Sequence, residues 1–221
     1  PKMLKAVDAL VPKDYLVEQR ALFHEVIDHP DNNWMVLLKS LWADIDPGVL
    51  QKVLENFLVN ASLVGLRRQD AAAAEHGCNV PWALLVDPTS ACNLHCTGCW
   101  AAEYGDRLNL TFEELDSIVE QGKELGVFFY LFSGGEPLVR KGAQDLIGAC
   151  KNVQGIEDVA ITTNGILLPR FASELKAAGL SRVNISLDSL DTDTYRTLTR
   201  CGNLDDALAG IHAALDAGFA P

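Results

Sequence analysis

The sequence predicts an α/β protein in which strands and helices alternate from Pro81 onwards, preceded by an all-helical segment. Up to residue 80, apolar residues recur at three- and four-residue spacing, which is typical of helices that bury one face. After residue 80, four short apolar runs are each followed by a helical segment. We therefore divide the chain into a helical N-terminal segment, residues 1–80, and an α/β core, residues 81–221.

The helical segment is read from four stretches: MLKAVDAL, KDYLVEQRALFHEVIDH, NWMVLLKSLWADI and DPGVLQKVLENFLVNASLVGLRRQDAAAAEHG. Asp46 is expected to cap the last stretch, and Gly77 is expected to end it. Trp34 and Trp42 stand at helical spacing, which predicts packing in a core or cap rather than a cofactor pocket.

The predicted strands are WALLVD, VFFYLFS, DVAITTN and RVNISLD. They are almost continuously apolar, as expected for parallel strands that helices cover. Thr111 with Glu114 predicts a capping box for the helix after the first strand, and Asn203 predicts a cap for the last helix. Four strand-helix units indicate either an α/β barrel or an open doubly wound sheet.

Polar or glycine-rich residues follow every predicted strand. They are Asp87, Pro88, Thr89 and Ser90; Ser133, Gly134, Gly135, Glu136 and Pro137; Thr162, Thr163 and Asn164; and Ser186, Asp188 and Ser189. Barrels build their active sites at the carboxyl ends of their strands from several strands at once. This distribution favours the barrel and predicts its functional rim.

The composition excludes several functions. The net charge of −12 argues against a nucleic-acid or anionic-membrane surface, because both partners require clustered Lys and Arg. No apolar run reaches the roughly 18 residues that a membrane span needs, so we expect a cytoplasmic protein without a membrane partner. Pro1 stands where an initiator Met would be, which predicts a trimmed or processed chain.

Three of the six cysteines, Cys92, Cys96 and Cys99, lie within the stretch CNLHCTGC. The other three, Cys78, Cys150 and Cys201, are scattered and are expected to be small core or surface residues. A structural zinc site usually takes four ligands in two close pairs, which this spacing does not offer. Three thiolates can instead bind three irons of a cubane iron-sulfur cluster and leave the fourth iron open to a ligand. A zinc site and three ordinary cysteines stay as the alternatives.

The stretch CNLHCTGC, together with SGGEP after the second strand, resembles the signature of the radical S-adenosylmethionine (SAM) enzymes. The resemblance implies a partial (βα) barrel of the radical SAM type, which has six strand-helix units in the family. This chain carries four such units. We therefore expect the barrel to be incomplete after the fourth unit and the chain to be a fragment or a recombinant of a longer enzyme.

The resemblance also implies two cofactors, a [4Fe-4S] cluster on the three cysteines and SAM. The turn of Ser133, Gly134, Gly135, Glu136 and Pro137 is expected to hold the SAM ammonium group through backbone carbonyls. Thr162, Asn164 and Ser186 are expected to contact SAM or the substrate. The alternative is structural: a turn role for Glu136, and strand-end hydrogen bonds for the other three.

The two halves of the chain resemble different relatives. Residues after about 144 are similar to the GTP 3',8-cyclase of molybdenum cofactor biosynthesis, whereas the N-terminal part resembles uncharacterised radical SAM proteins of anaerobes. Phe129 and Leu131 occupy positions where the cyclase carries basic residues that grip GTP. Cys201 is the only cysteine after Cys150, so the cysteines of the cyclase's second cluster are missing. Gly98 replaces the aromatic residue usual before the third cysteine.

The resulting expectation is an oxygen-sensitive radical SAM enzyme that cleaves SAM reductively to a 5'-deoxyadenosyl radical and acts on an unidentified substrate. Its electron donor would be a protein such as flavodoxin or ferredoxin. The alternatives are a GTP 3',8-cyclase-like enzyme, an iron-sulfur electron-transfer module, and an inactive fragment without SAM chemistry. The sequence gives no basis for assigning a catalytic role to any side chain.

Overall fold

The computed structural model describes residues 8–9, 12–13, 17–55, 64–153, 156 and 158–219. The chain divides into two compact units, residues 1–54 and residues 55–221. Most of the predicted helix MLKAVDAL, and residues 56–63 within the fourth stretch, lie outside the described residues. The boundary predicted near residue 80 stays a prediction.

The first unit contains the helices α1 (Val17–Asp28), α2 (Asn33–Asp44) and α3 (Pro47–Leu54). Asp46 caps α3 as predicted, since its Oδ1 accepts a hydrogen bond from the Gly48 amide at 2.9 Å. No described helix is both long and apolar enough to cross a membrane.

The prediction that Trp34 and Trp42 pack in a core is wrong. Their side chains are 62% and 58% exposed, and α2 buries none of its residues. The physical reason is that the apolar residues of NWMVLLKSLWAD surround the helix instead of forming one stripe, so a single buried face cannot take them all.

The second unit contains a four-stranded parallel sheet. Its strands are β1 (Ala83–Val86), β2 (Phe129–Phe132), β3 (Asp158–Thr163) and β4 (Arg182–Ile185), in the spatial order β1-β2-β3-β4. All four predicted strands are therefore confirmed. An in-order parallel sheet with intervening helices is the arrangement of a barrel rather than of a doubly wound sheet, in which the strand order reverses.

The helices of the second unit are α4 (Leu66–His76), α5 (Ala101–Tyr104), α6 (Phe112–Glu124), α7 (Ala143–Asn152), α8 (Leu168–Ala177), α9 (Thr192–Thr199) and α10 (Leu204–Asp216), with a 3₁₀ turn at Pro137–Val139. The capping box of Thr111 with Glu114 and the Asn203 cap are both present as predicted. The sequence did not predict α9, which Asp191 caps through the Thr194 amide.

One face of the sheet is covered by these helices and forms the core. Val86, Phe132 and Ile161 are in register on that face and are buried among helical side chains such as Leu115, Ile147 and Leu175. Cys150 belongs to the same core, and burial raises the pKa of its thiol to about 12. The isolated cysteines Cys78 and Cys201 are exposed, as the sequence predicted for a core-or-surface set.

The opposite face, here called the open face, carries the alternate residues of each strand. Leu85, Leu131, Ala160 and Arg182 are in register there, and Leu85 is 64% exposed. The Arg182 guanidinium lies 3.0 Å from an oxygen of Asp158 and stacks 4.9 Å over the Phe129 ring. The guanidinium of Arg182 is therefore already paired.

Helix α10 approaches the end of β3 so closely that only a glycine fits. A Cβ atom on Gly210 would lie far inside van der Waals contact of the Gly165 carbonyl oxygen, which is backbone and cannot move aside. This contact fixes the turn that contains Asn164 against the last helix.

We predict that Gly210→Ala lowers the free energy of unfolding by about 2 kcal/mol or more, because the added methyl group overpacks the α10–Gly165 contact. Gly148 is the matched control: it is also helical, and its Cβ would meet only Ala178 Cβ at 4.0 Å. Gly148→Ala should raise stability by about 0.5–1 kcal/mol through helix propensity. Urea unfolding of both variants tests this; a neutral Gly210→Ala would contradict it.

Candidate cluster and SAM site

The segment that leads from β1 into the cysteine loop is held in place on one side by residues 108–110. The Leu110 amide donates to the Pro88 carbonyl at 3.1 Å, and the Ser90 amide donates to the Leu108 carbonyl at 2.8 Å. The Ser90 hydroxyl also accepts a hydrogen bond from the Leu108 amide at 3.1 Å. The chain therefore enters the loop in a fixed direction.

The SGGEP turn holds the same segment from the other side. The amides of Ser133, Gly135 and Glu136 donate to the carbonyls of Val86, Thr89 and Ala91 at 3.0, 2.9 and 2.7 Å, respectively. These bonds continue the β1–β2 pairing up to the residue before Cys92. The turn that the sequence assigned to SAM is thus hydrogen-bonded to the segment that leads into the cysteine loop.

The two glycines allow this close approach. Gly134 has a φ of +111°, and a Cβ atom there would lie 2.5 Å from the Thr89 carbonyl oxygen. A Cβ on Gly135 would overlap the carbonyl oxygens of both Ser90 and Ala91. Within the described part of the chain, the carbonyls of Gly134 and Gly135 accept no hydrogen bond. They are therefore available to an external donor such as an ammonium group.

Glu136 is fully buried at 0% exposure, and its carboxylate bonds inside the protein. Oε1 accepts from the Leu138 amide at 3.0 Å and from the Thr163 hydroxyl at 2.8 Å, while Oε2 accepts from the Asn164 amide at 2.8 Å. Burial raises the pKa of this carboxyl, and the three donors act in the opposite direction. The side chain links the turn after β2 to the end of β3; its predicted SAM role stays a prediction.

The far side of the cysteine loop rests on the last turn of α9. The amides on either side of Cys96 donate to this helix: His95 to the Thr199 carbonyl at 3.4 Å, and Thr97 to the Leu198 carbonyl at 2.8 Å. Leu94 is 5% exposed and anchors the middle of the loop. The fourth strand-helix unit therefore supports a loop that belongs to the first.

The three thiols are free, half-buried and close enough to influence one another. Burial raises the pKa of Cys92, with smaller contributions from the charges of Glu136 and Cys99. The pKa of Cys96 is raised by burial and then by the charges of Cys92, Cys99 and Asp188. Iron bound to these thiols would oppose both causes of the raised pKa, burial and neighbouring negative charge. The reason is that the metal ligand is the deprotonated thiolate, which the positive ion stabilises.

The arrangement is not that of a single-ion site. Among the described residues, no three His, Cys, Asp or Glu side chains converge closely enough to coordinate one metal ion. A cubane places each thiolate on a different iron, so its thiolates surround the cluster instead of meeting at a point. The donor set, three thiols on one supported loop, fits three irons of a cubane cluster.

The remaining predicted site residues follow β3 and β4. Asn164 bonds within the protein: its amide nitrogen Nδ2 donates to Asn93 Oδ1 at 2.7 Å and lies 4.0 Å from Cys92 Sγ. Ser186 is exposed, and its amide donates to the Thr163 carbonyl at 2.9 Å. Thr162 is half-buried, with a hydroxyl that has no partner among the described residues. Of the three, Thr162 and Ser186 keep hydroxyls available to a ligand.

Sequence reasoning missed several residues that build the site: Asn93, Leu94, Leu198 and Thr199. Their contributions are contacts across distant parts of the chain, which no local pattern reveals. Gly98 is different, because its φ of +75° explains why a glycine stands where the family usually has an aromatic residue.

A parallel, in-order sheet with a thiol-rich loop and a glycine turn at its carboxyl rim is the arrangement of a partial barrel with a candidate cluster site. Residues 86–221 match the profile of the Radical SAM superfamily, and the chain belongs to this family. Membership confirms the predicted cofactors, a [4Fe-4S] cluster and SAM.

Curated relatives are GTP 3',8-cyclases. The protein of Petrotoga mobilis is 48% identical over 143 residues, which are 62% of this chain and 44% of that protein. The protein of Heliobacterium modesticaldum is 50% identical over 143 residues, which are 62% of this chain and 43% of that protein. The chain thus spans less than half the length of these relatives.

Solved structures confirm the fold. Streptococcus suis SuiB bound to S-adenosylmethionine matches with a TM-score of 0.58 and 23% identity, over 93% of this chain and 46% of that one. SuiB bound to the precursor peptide SuiA matches with a TM-score of 0.58 and 24% identity, over 72% of this chain and 36% of that one.

We predict that Gly135→Ala reduces the iron and sulfide bound after anaerobic reconstitution to less than half of the wild-type content, because the added Cβ pushes the turn off the loop. Gly77→Ala is the control, since Gly77 has a φ of +67° but open space around its Cβ. It should cost about 1–2 kcal/mol of stability and leave the cluster content unchanged. Equal cluster contents in both variants would contradict the prediction.

Proposed function

We propose that this chain carries the cluster-binding and SAM-binding part of a radical SAM enzyme whose substrate is unidentified. The observation that carries the proposal is the backbone contact between the SGGEP turn and the segment before Cys92. Gly135 and Glu136 donate to Thr89 and Ala91 at 2.9 and 2.7 Å, which supports a shared site for the three thiols and the free glycine carbonyls.

In the proposed site, Cys92, Cys96 and Cys99 bind the cluster. The backbone of Ser133, Gly134, Gly135, Glu136 and Pro137 faces the SAM ammonium group. Thr162 and Ser186 offer hydroxyls to SAM or the substrate, while Asn164 acts through its bond to Asn93 beside Cys92. When bound, the cluster supplies the electron that cleaves the SAM sulfonium to methionine and a 5'-deoxyadenosyl radical.

The chain's own residues orient and support this site. Glu136 holds the turn and the end of β3 together by three hydrogen bonds, and helix α9 supports the loop around Cys96. We assign residues 81–221 to a partial barrel of the radical SAM type and residues 1–80 to a helical N-terminal segment. A cytoplasmic location, sensitivity to oxygen and a flavodoxin or ferredoxin as reductant complete the proposal.

The first test is electron paramagnetic resonance of the anaerobically reconstituted and reduced protein, with and without SAM. We expect a cubane signal that changes when SAM is added, together with formation of 5'-deoxyadenosine. Cys96→Ala should lose the signal, whereas Cys78→Ala should retain it, because Cys78 is exposed and lies outside the stretch CNLHCTGC. A signal indifferent to SAM would point to an electron-transfer module, and no cluster in the wild type would point to an inactive chain.

A GTP 3',8-cyclase-like activity is the second candidate, favoured by 48% identity to the Petrotoga mobilis enzyme over 143 residues. The residues of the open face do not favour a GTP 3',8-cyclase-like activity. Leu131 contributes an aliphatic side chain there, and the Arg182 guanidinium is already paired with Asp158 at 3.0 Å. A triphosphate needs cationic hydrogen-bond donors, which these positions do not provide.

We therefore predict that GTP does not accelerate SAM cleavage. The measurement is 5'-deoxyadenosine formation by the reduced protein with and without GTP and Mg²⁺. A GTP-dependent increase of tenfold or more, with a nucleotide product, would establish the cyclase-like activity instead.

A further inference from the structure

Tyr195 on α9 is a buried residue whose hydroxyl group forms no hydrogen bond within the described residues. Its side chain is 1% exposed, and its hydroxyl oxygen has no hydrogen-bond partner among the described residues. Buried hydroxyls almost always have a partner, so an exception calls for a ligand, a water or a further group. The other such atom in the described residues, Oδ1 of Asp158, lies at the opposite end of the sheet, beside Arg182.

The helix that carries Tyr195 supports the cysteine loop. The Thr199 carbonyl, one turn after Tyr195, accepts from the His95 amide at 3.4 Å, and the Thr199 hydroxyl donates to the Tyr195 carbonyl at 2.8 Å. A Cβ on Gly202 would lie 3.0 Å from Tyr195 Cε1 and 3.1 Å from Leu94 Cδ2. The Tyr195 ring is therefore packed next to the loop residues that precede Cys96.

Cys96 is the thiol that lies against the helix of Tyr195, since the amides of His95 and Thr97 on either side of it donate to the carbonyls of Thr199 and Leu198. Burial, followed by the charges of Cys96, Asp188, Asp206 and Cys201, raises the pKa of Tyr195. A phenol has an ordinary pKa of about 10, so it is protonated at neutral pH and can donate a hydrogen bond to an acceptor. Asp188, Asp206 and Cys201 are exposed and hydrated, whereas Cys96 is half-buried and loses water when a cluster binds.

We propose that the Tyr195 hydroxyl donates a hydrogen bond to the Cys96 thiolate in the cluster-loaded protein and thereby raises the reduction potential of the cluster. The inference rests on the proposed function, because it takes Cys96 as a cluster ligand. A hydrogen bond to a ligating sulfur offsets the negative charge that reduction adds, which favours the reduced cluster. Tyr195 is a positioning residue that acts through Cys96 and touches no substrate.

The test compares Tyr195→Phe with Tyr130→Phe in the anaerobically reconstituted full chain. Tyr130 is the matched control: it is also fully buried, but its hydroxyl donates to the Val119 carbonyl at 3.0 Å within the helix-covered core. We expect Tyr195→Phe to make the cluster harder to reduce by on the order of tenfold, which is about 59 mV for one electron. Tyr130→Phe should leave the potential unchanged.

A second readout needs no cluster. Tyr130→Phe should lower the thermal midpoint of the cluster-free chain, because it removes the hydrogen bond to the Val119 carbonyl. Tyr195→Phe should not lower this midpoint, because the Tyr195 hydroxyl has no hydrogen-bond partner among the described residues. An unchanged potential in Tyr195→Phe, an equal shift in both variants, or a Tyr195→Phe protein that takes up no cluster would each overturn the inference. A wild-type chain without a cluster overturns the proposed function itself, and this inference with it.

Discussion

The close approach of two backbone segments at the carboxyl rim of the sheet is the contact on which the site depends. The SGGEP turn lies against the residues before Cys92 with no space for a side chain, and its amides bond to their carbonyls. Glycine is required because any Cβ at position 135 would meet backbone atoms, which cannot rotate away. The position of the first thiol is therefore set by main-chain geometry.

All four strand-helix units contribute to holding one loop. Glu136 links the second unit to the third through a buried carboxylate, and the end of α9 supports the loop around Cys96 from the fourth. Burying a carboxylate is unfavourable unless it is hydrogen-bonded, and here two amides and a hydroxyl offset that cost. Such a network has few alternative arrangements, and a cluster site needs this rigidity before the metal arrives.

The hydroxyl of Tyr195, unlike the carboxylate of Glu136, is a buried polar group without a hydrogen-bond partner among the described residues. In the described structure this buried donor has no acceptor, whereas the carboxylate of Glu136 has a donor for each oxygen. The buried polar groups on one side of the loop are hydrogen-bonded, whereas the Tyr195 hydroxyl on the other side can still bond to a further group. Membership in the radical SAM family identifies that group as the [4Fe-4S] cluster on the cysteine loop, whose reduction potential we propose the hydroxyl adjusts.

Local patterns in the sequence determined the strands, the caps at Thr111, Asn203 and Asp46, and the cysteine and SGGEP motifs, because each depends on neighbours a few residues away. Only the tertiary structure decided that the carboxylate of Glu136 bonds inside the protein, that Asn164 bonds to Asn93, and that Trp34 and Trp42 are exposed. The support that helix α9 gives to the cysteine loop, and the unpartnered hydroxyl of Tyr195, belong to the same group. These features are contacts between residues separated by tens of positions, or the lack of such contacts, and they exist only once parallel strands have brought their ends together.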